Sequence, residues 1–295
     1  MKTILVPTDF STTADVAVEV ASGIAKKTGA SLILLHVVED IDEGSFNVAG
    51  EATGSSPAGF NFFTLKMIEK AKKQLAQAVE DTSRMGVNVG SRLRIGNPYH
   101  SMHQTISEQK VDLIVMGTKG SSGLDEVLIG SNTEKVVRRS NCPVLTVNRP
   151  PVKSEFKSLV YATSLKDEAL PFTRVVRKIQ EIYDCQVHIV RINTPAMFIN
   201  DRAVKEKMAV FAKQLLFRNY TLNVYNDYTE EEGIIHFADE VGADMIAMAT
   251  HGRTGLAHIL NGSIAEGVVN HAHRPVLTSV IGRKDKDEAA TGSKK

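Results

Sequence analysis

An α/β fold built twice is what this sequence predicts: two tandem, doubly wound, five-stranded parallel sheets. Three observations carry that expectation. Short apolar runs of strand length alternate with amphipathic stretches of helix length, the rhythm of βαβ units. One such run, at 112–116, opens into a glycine-rich turn and then a helix start. Residues 244–278 repeat 112–146 without a gap, with about half the positions identical, so the repeat is of domain size rather than a short solenoid unit.

Taken in order, residues 2–9 form an apolar run closed by Pro7, suited to a central parallel strand with a turn at its carboxyl end. Asp9, Ser11 and Thr12 can cap the helix that follows, whose apolar face includes Val16, Val20 and Ile24 and which stops at Gly29. Residues 31–38 are a second buried strand. From 39 to 59 the composition turns polar and glycine-rich, which reads as a long loop, either disordered or a lid. A helix is expected over 63–84, then a more polar edge strand over 87–95 and a short helix after Gly96-Asn97-Pro98. Residues 132–139 form a further helix and 143–147 another apolar strand.

Residues 148–156 have the proline-rich, polar character of a boundary, dividing a first domain over 1–149 from a second over 155–282. In the second, 159–163 repeats the first strand, 187–192 the second, 203–217 the long helix and 220–225 the edge strand, while the long loop is missing. Residues 283–295 are charged and then small and polar, and are expected to be a disordered tail.

The chain has 295 residues, 42% hydrophobic and 23% charged, enough for two sizeable cores. Its 35 Lys and Arg against 34 Asp and Glu give a net charge of +1, so nothing in the balance asks for nucleic acid or an anionic membrane. Cys142 and Cys185 lie in different halves at no metal-like spacing, and the chain opens with a strand rather than a leader segment, so a cytoplasmic location is expected. No apolar run approaches the roughly 20 residues needed to span a bilayer.

The chemistry centres on residues 112–133. After the strand come Gly117, Lys119 and Gly120, then Gly130, Ser131, Asn132 and Thr133 at the start of a helix. Glycines let backbone amides approach a ligand without an intervening Cβ, and hydroxyls beside a positive helix end add donors, so the stretch reads as an anion cradle suited to a phosphate chain. In a doubly wound sheet the ligand sits at the carboxyl ends of the strands near the switch point, which puts Asp9 and Gly117 side by side.

The spacing Gly117-x2-Gly120-x9-Gly130-Ser131-Asn132, with Met116 before it, resembles the ATP-binding signature of universal stress proteins, and the resemblance covers nearly the whole chain twice. It implies an adenine nucleotide alpha hydrolase-like fold and an ATP or ADP ligand. Pro7, Thr8, Asp9 and Val37 match the positions around adenine and ribose; Gly117, Gly120, Gly130, Ser131, Asn132 and Thr133 match the phosphate and ribose contacts. Lys119 is placed to reach a phosphate, and magnesium bridging phosphate oxygens is compatible with such a cradle, although no residue demands it. In single-domain relatives the last strand commonly pairs across a two-fold axis, so the resemblance implies that residues 144–147 and 276–279 meet as antiparallel edges and that the two halves pack as an intramolecular pseudo-dimer. Whole chains are allowed to associate further as homodimers.

The second half departs from the pattern. Ser164 stands where the first half has Asp9, and Ala249 where it has Gly117, so a degenerate nucleotide site is expected; Gly252, Gly262 and Ser263 are left able to hold a simple anion. His236, His251, His258, His271 and His273 gather there, but without a cysteine or a third ligand on one face they read as solvated helix-end histidines rather than a metal site. No dinucleotide fingerprint, P-loop or nucleophile elbow follows any strand. Cys142 before Pro143 reads as packing. Three functions stay open: a nucleotide-dependent stress-signalling or protective module with protein partners the sequence does not name, a slow ATP hydrolase or adenylyl-type transferase, and a scaffold without nucleotide. No general base with the required geometry can be named, so no catalytic residue is assigned.

Overall fold

Ile4, Leu5 and Val6 are wholly buried, as a strand covered by helices on both faces requires. They form the middle of β1 (Thr3–Pro7) in a computed structural model that describes residues 1–39, 62–118, 129–140, 142–148, 155–165, 170–251 and 264–281. The expected long loop, all but Glu39, and the expected tail lie outside those residues. The chain continues through α1 (Thr12–Thr28), β2 (Ser31–Val38), α2 (Phe62–Arg84), β3 (Val89–Ile95), α3 (Pro98–Gln109), β4 (Leu113–Gly117), α4 (Ser131–Arg139) and β5 (Val144–Val147). The second half repeats the series with β6 (Ser158–Ala162), α5 (Leu170–Tyr183), β7 (Gln186–Asn193), α6 (Asp201–Leu215), β8 (Tyr220–Asn226), α7 (Glu230–Glu240), β9 (Met245–His251), α8 (Ile264–His271) and β10 (Val276–Ile281). A 3-10 turn at Pro195–Met197, not anticipated from sequence, leads into α6.

Local chemistry explains the boundaries. The Ser11 hydroxyl accepts from the Ala14 amide at 3.3 Å and caps α1, so the cap falls to Ser11 and not to Asp9. Gly29, at φ 70°, ends the helix with its amide on the Ala25 carbonyl, a left-handed closure that costs glycine little. Asn97 caps α3 with Pro98 in its first turn, and Thr229 caps α7.

Among the described residues the strands form one ten-stranded sheet in the order β3-β2-β1-β4-β5-β10-β9-β6-β7-β8. Each set of five is parallel, and the two sets meet where β5 and β10 pair antiparallel, with Val276 opposite Thr146, Leu277 opposite Leu145 and Thr278 opposite Val144. The seam expected between the two last strands is therefore present, and it turns two exposed edges into one interior ladder. Apolar residues of α1, α2, α5 and α6 fill one face of the sheet; those of α3, α4, α7 and α8 fill the other. None of the described helices is long and apolar enough to cross a membrane.

Candidate functional site

β1 and β4 are neighbours whose connections leave to opposite sides, and a cleft opens beyond their carboxyl ends, as switch-point geometry demands. The cavity there is about 320 Å³, near the lower end of the roughly 300–1,000 Å³ typical of small-molecule pockets. Pro7, Thr8, Asp9, Val37, Met116, Gly117, Gly130, Ser131, Asn132 and Thr133 all line it. Lys119 and Gly120 lie outside the described residues, as do Gly252, Gly262 and Ser263 of the second half.

At the end of β1 the chain makes a tight left-handed bend. Phe10 has φ 62°, unusual for a bulky residue, and its amide donates to the Thr8 hydroxyl at 3.0 Å. The Asp9 carboxylate accepts from the Ser11 amide at 3.0 Å, which fixes its direction at the cavity rim. His36, which sequence reading passed over, completes the bend: its Nδ1 lies 2.7 Å from the Thr8 carbonyl oxygen and its ring lies 4.5 Å from that of Phe10. Because a carbonyl only accepts, Nδ1 carries the proton. A histidine inside an otherwise apolar strand was the available signal. Glu39, Pro98 and Met102 also line the cavity and were likewise not singled out.

The cradle is narrower than the glycine spacing implied. Gly130 donates its amide to the Thr118 carbonyl at 2.8 Å, and Thr118 donates its own to Val147 at 2.9 Å, so those two donors are spent on closing the loop's base. The Thr133 hydroxyl donates to the Gly117 carbonyl at 3.0 Å and is likewise spent. What remains is the first turn of α4. Gly130 occupies its N-cap and offers no side-chain cap, so the amides of Ser131, Asn132 and Thr133, which have no partner within the helix, lie beside the cavity. Gly117 is constrained from the other side: a Cβ there would lie 2.8 Å from Thr13 Cγ2 and 3.1 Å from Thr13 backbone atoms, so its bareness lets α1 press against β4.

The second half keeps the bend and changes the walls. Leu165 has φ 61° and donates to the Thr163 hydroxyl at 2.9 Å, repeating Phe10 and Thr8. Strand register sets Arg191 in the place of His36, and its guanidinium donates to the Ser164 carbonyl at 3.3 Å. Ile192 replaces Val37, and Gly233 lets α7 come so close that a Cβ there would lie 2.6 Å from Ile192 Cγ2. Asn193 exchanges two hydrogen bonds with Ile199 and ties the following segment down.

Of the histidines singled out in the second half, His236 and His271 have structural partners, as does Cys142, while His258 lies outside the described residues. His236 lies 2.8 Å from Asp227, which raises the histidine pKa and lowers that of the carboxyl through their hydrogen bond. His271 lies 2.6 Å from Glu231. Cys142 donates to the Val111 carbonyl at 3.3 Å; burial, helped by the charge of Asp112, pushes its thiol up to about 12, so it is no nucleophile at neutral pH.

Two α/β halves joined edge to edge, with a cleft of mixed polar and apolar lining over a helix start in the first, define a tandem protein with a cleft at the sheet's switch point. The family model described as "Universal stress protein family" matches residues 1–148 and again 156–279. The chain belongs to that family. A universal stress protein of Methanocaldococcus jannaschii is 34% identical over 156 residues, spanning 50% of this chain and 95% of that protein. A second from the same organism is 32% identical over 149 residues, spanning 50% of this chain and 83% of the relative. Among solved structures, a universal stress protein from Archaeoglobus fulgidus superposes with a TM-score of 0.74 over 95% of this chain and 98% of that one, at 20% identity, a likeness of fold.

Proposed function

We propose that the first half of this chain binds ATP or ADP and that occupancy makes the protein a nucleotide-dependent signalling or protective module in the stress response. The observation that carries the reading is the convergence of β1, β2, β4 and the uncapped start of α4 on one cavity. Its chemistry suits such a ligand: Pro7, Val37, Met102 and Met116 offer apolar surface to a base, Asp9 an acceptor for ribose or adenine, and the α4 amides donors for phosphate. Magnesium, where bound together with the nucleotide, would supply charge neutralisation for the phosphates. The second half, with Ser164 for Asp9, Ile192 held under α7 and Arg191 in the strand, is the degenerate partner.

The test is to purify the full chain, identify any small molecule released on denaturation, and titrate ATP calorimetrically. One equivalent of adenine nucleotide per chain is expected, with Asp9→Ala weakening binding about tenfold or more. Two equal sites per chain would contradict the degenerate second half, and absence of nucleotide binding would leave the scaffold reading. Turnover of ATP lost in Asp9→Ala would favour the hydrolase instead.

A further inference from the structure

The amide of Ile129, one residue before the cap of α4, donates to the side-chain oxygen of Asn270 on α8 at 2.9 Å, across 141 positions of chain. The cradle of the first half is thus tied to a side chain of the second. Three more bonds join the same two helices and their flanks. Arg138 on α4 bridges Glu134 at 3.0 Å and Glu266 of α8 at 2.8 Å, with Glu266 largely buried. The Val280 amide donates to the Ser140 carbonyl at 3.2 Å, and the Asn148 side chain donates to the Ala272 carbonyl.

The repeat makes the arrangement informative. Residues 112–146 and 244–278 correspond position by position, so Glu134 matches Glu266 and Arg138 matches Asn270. Were two identical first halves to dock this way, Arg138 would still reach the other copy's Glu134, but a second Arg138 would stand where Asn270 does, and Ile129 would have no acceptor. The exchange of one arginine for an asparagine gives one helix the bridging cation and the other the amide acceptor. The acceptor for the Ile129 amide is therefore one that the second half supplies and a second copy of the first half would not.

We infer that Asn270 is a positioning residue of the first half's anion cradle: by holding the Ile129 amide, with Gly130 pinned to Thr118, it sets the direction of the amides of Ser131, Asn132 and Thr133 at the start of α4. The second half is then a structural part of the first half's site, which explains its retention where its own site is altered. This rests on the nucleotide reading above for its ligand, though not for its geometry.

The experiment compares the full chain with Asn270→Leu, which removes the acceptor at similar size, and with Arg138→Gln, which loosens the same dock without touching Asn270. ATP and adenosine are titrated in parallel, and hydrogen exchange is followed at the amides of 129–133 without ligand. Loss of one neutral hydrogen bond is expected to weaken ATP about fivefold, to leave adenosine unchanged, and to speed exchange at 129–133 in both variants. Unchanged ATP binding and exchange overturn the inference, as does an equal loss for ATP and adenosine with a general fall in Tm. Where the unsubstituted chain binds neither ligand, the nucleotide reading fails and exchange alone decides the positioning role: faster exchange upholds it and unchanged exchange ends it.

Discussion

Gly117 is bare for a packing reason that its place in the sequence does not suggest. Bareness there suggests access for a ligand, yet the nearest atoms to a new Cβ belong to Thr13. Gly117→Ala is expected to destabilise the protein by about 1–3 kcal/mol through overpacking, measurable as a lower urea midpoint even without ligand. His188 carries a pH prediction. Burial lowers its pKa below the ordinary 6.5, and its Nδ1 lies 2.9 Å from the Thr221 hydroxyl. A histidine held neutral in the fold leaves stability intact above the unfolded pKa and costs it as pH falls through that value toward the folded one. His188→Gln is therefore expected to flatten the loss of Tm below about pH 6.5. His236 works in the opposite sense: its pKa is raised by Asp227, so its contribution is full below the unfolded value and fades as pH rises through the folded one.

At the level of elements, the repeat preserves joints as well as strands. The Asp112 carboxylate accepts from the amides of Lys2 and Thr3, and the Asp244 carboxylate from those of Lys157 and Ser158 at 2.8 and 3.1 Å. Each acid thereby fastens the entrance of a central strand. Asp244→Ala, which strands two amides, is expected to cost about 1–3 kcal/mol, read as a fall in thermal midpoint; no change would show the joint to be incidental. The strands and most helices were legible because burial on two faces leaves unbroken apolar runs and burial on one leaves a helical stripe. The cap at Ser11, the spent amide of Gly130 and the 3-10 turn at Pro195–Met197 were not, since several polar residues near each end offered the same chemistry and only three-dimensional packing selects among them.

For the whole molecule the decisive feature is the β5–β10 seam. Leu145 and Leu277 lie opposite each other and are wholly buried, so separating the halves would expose two strand edges and their apolar faces. Residues 1–148 produced alone are expected to self-associate, and light scattering after gel filtration that returned a clean monomer would speak against the seam as a required covering.

The pairing of the last strands was an expectation from the family resemblance; by itself the sequence determined the α/β class, the duplication and the neighbourhood of the cleft. Those depend on periodicity and on a repeat visible in one dimension. Only the tertiary structure decided which donors of the glycine-rich stretch are spent on the protein's own carbonyls, that His36 braces the bend at Thr8, and that Asn270 reaches Ile129. The physical reason is range. Burial imprints a local pattern on the chain, whereas a hydrogen bond between residues 141 positions apart leaves no pattern near either end.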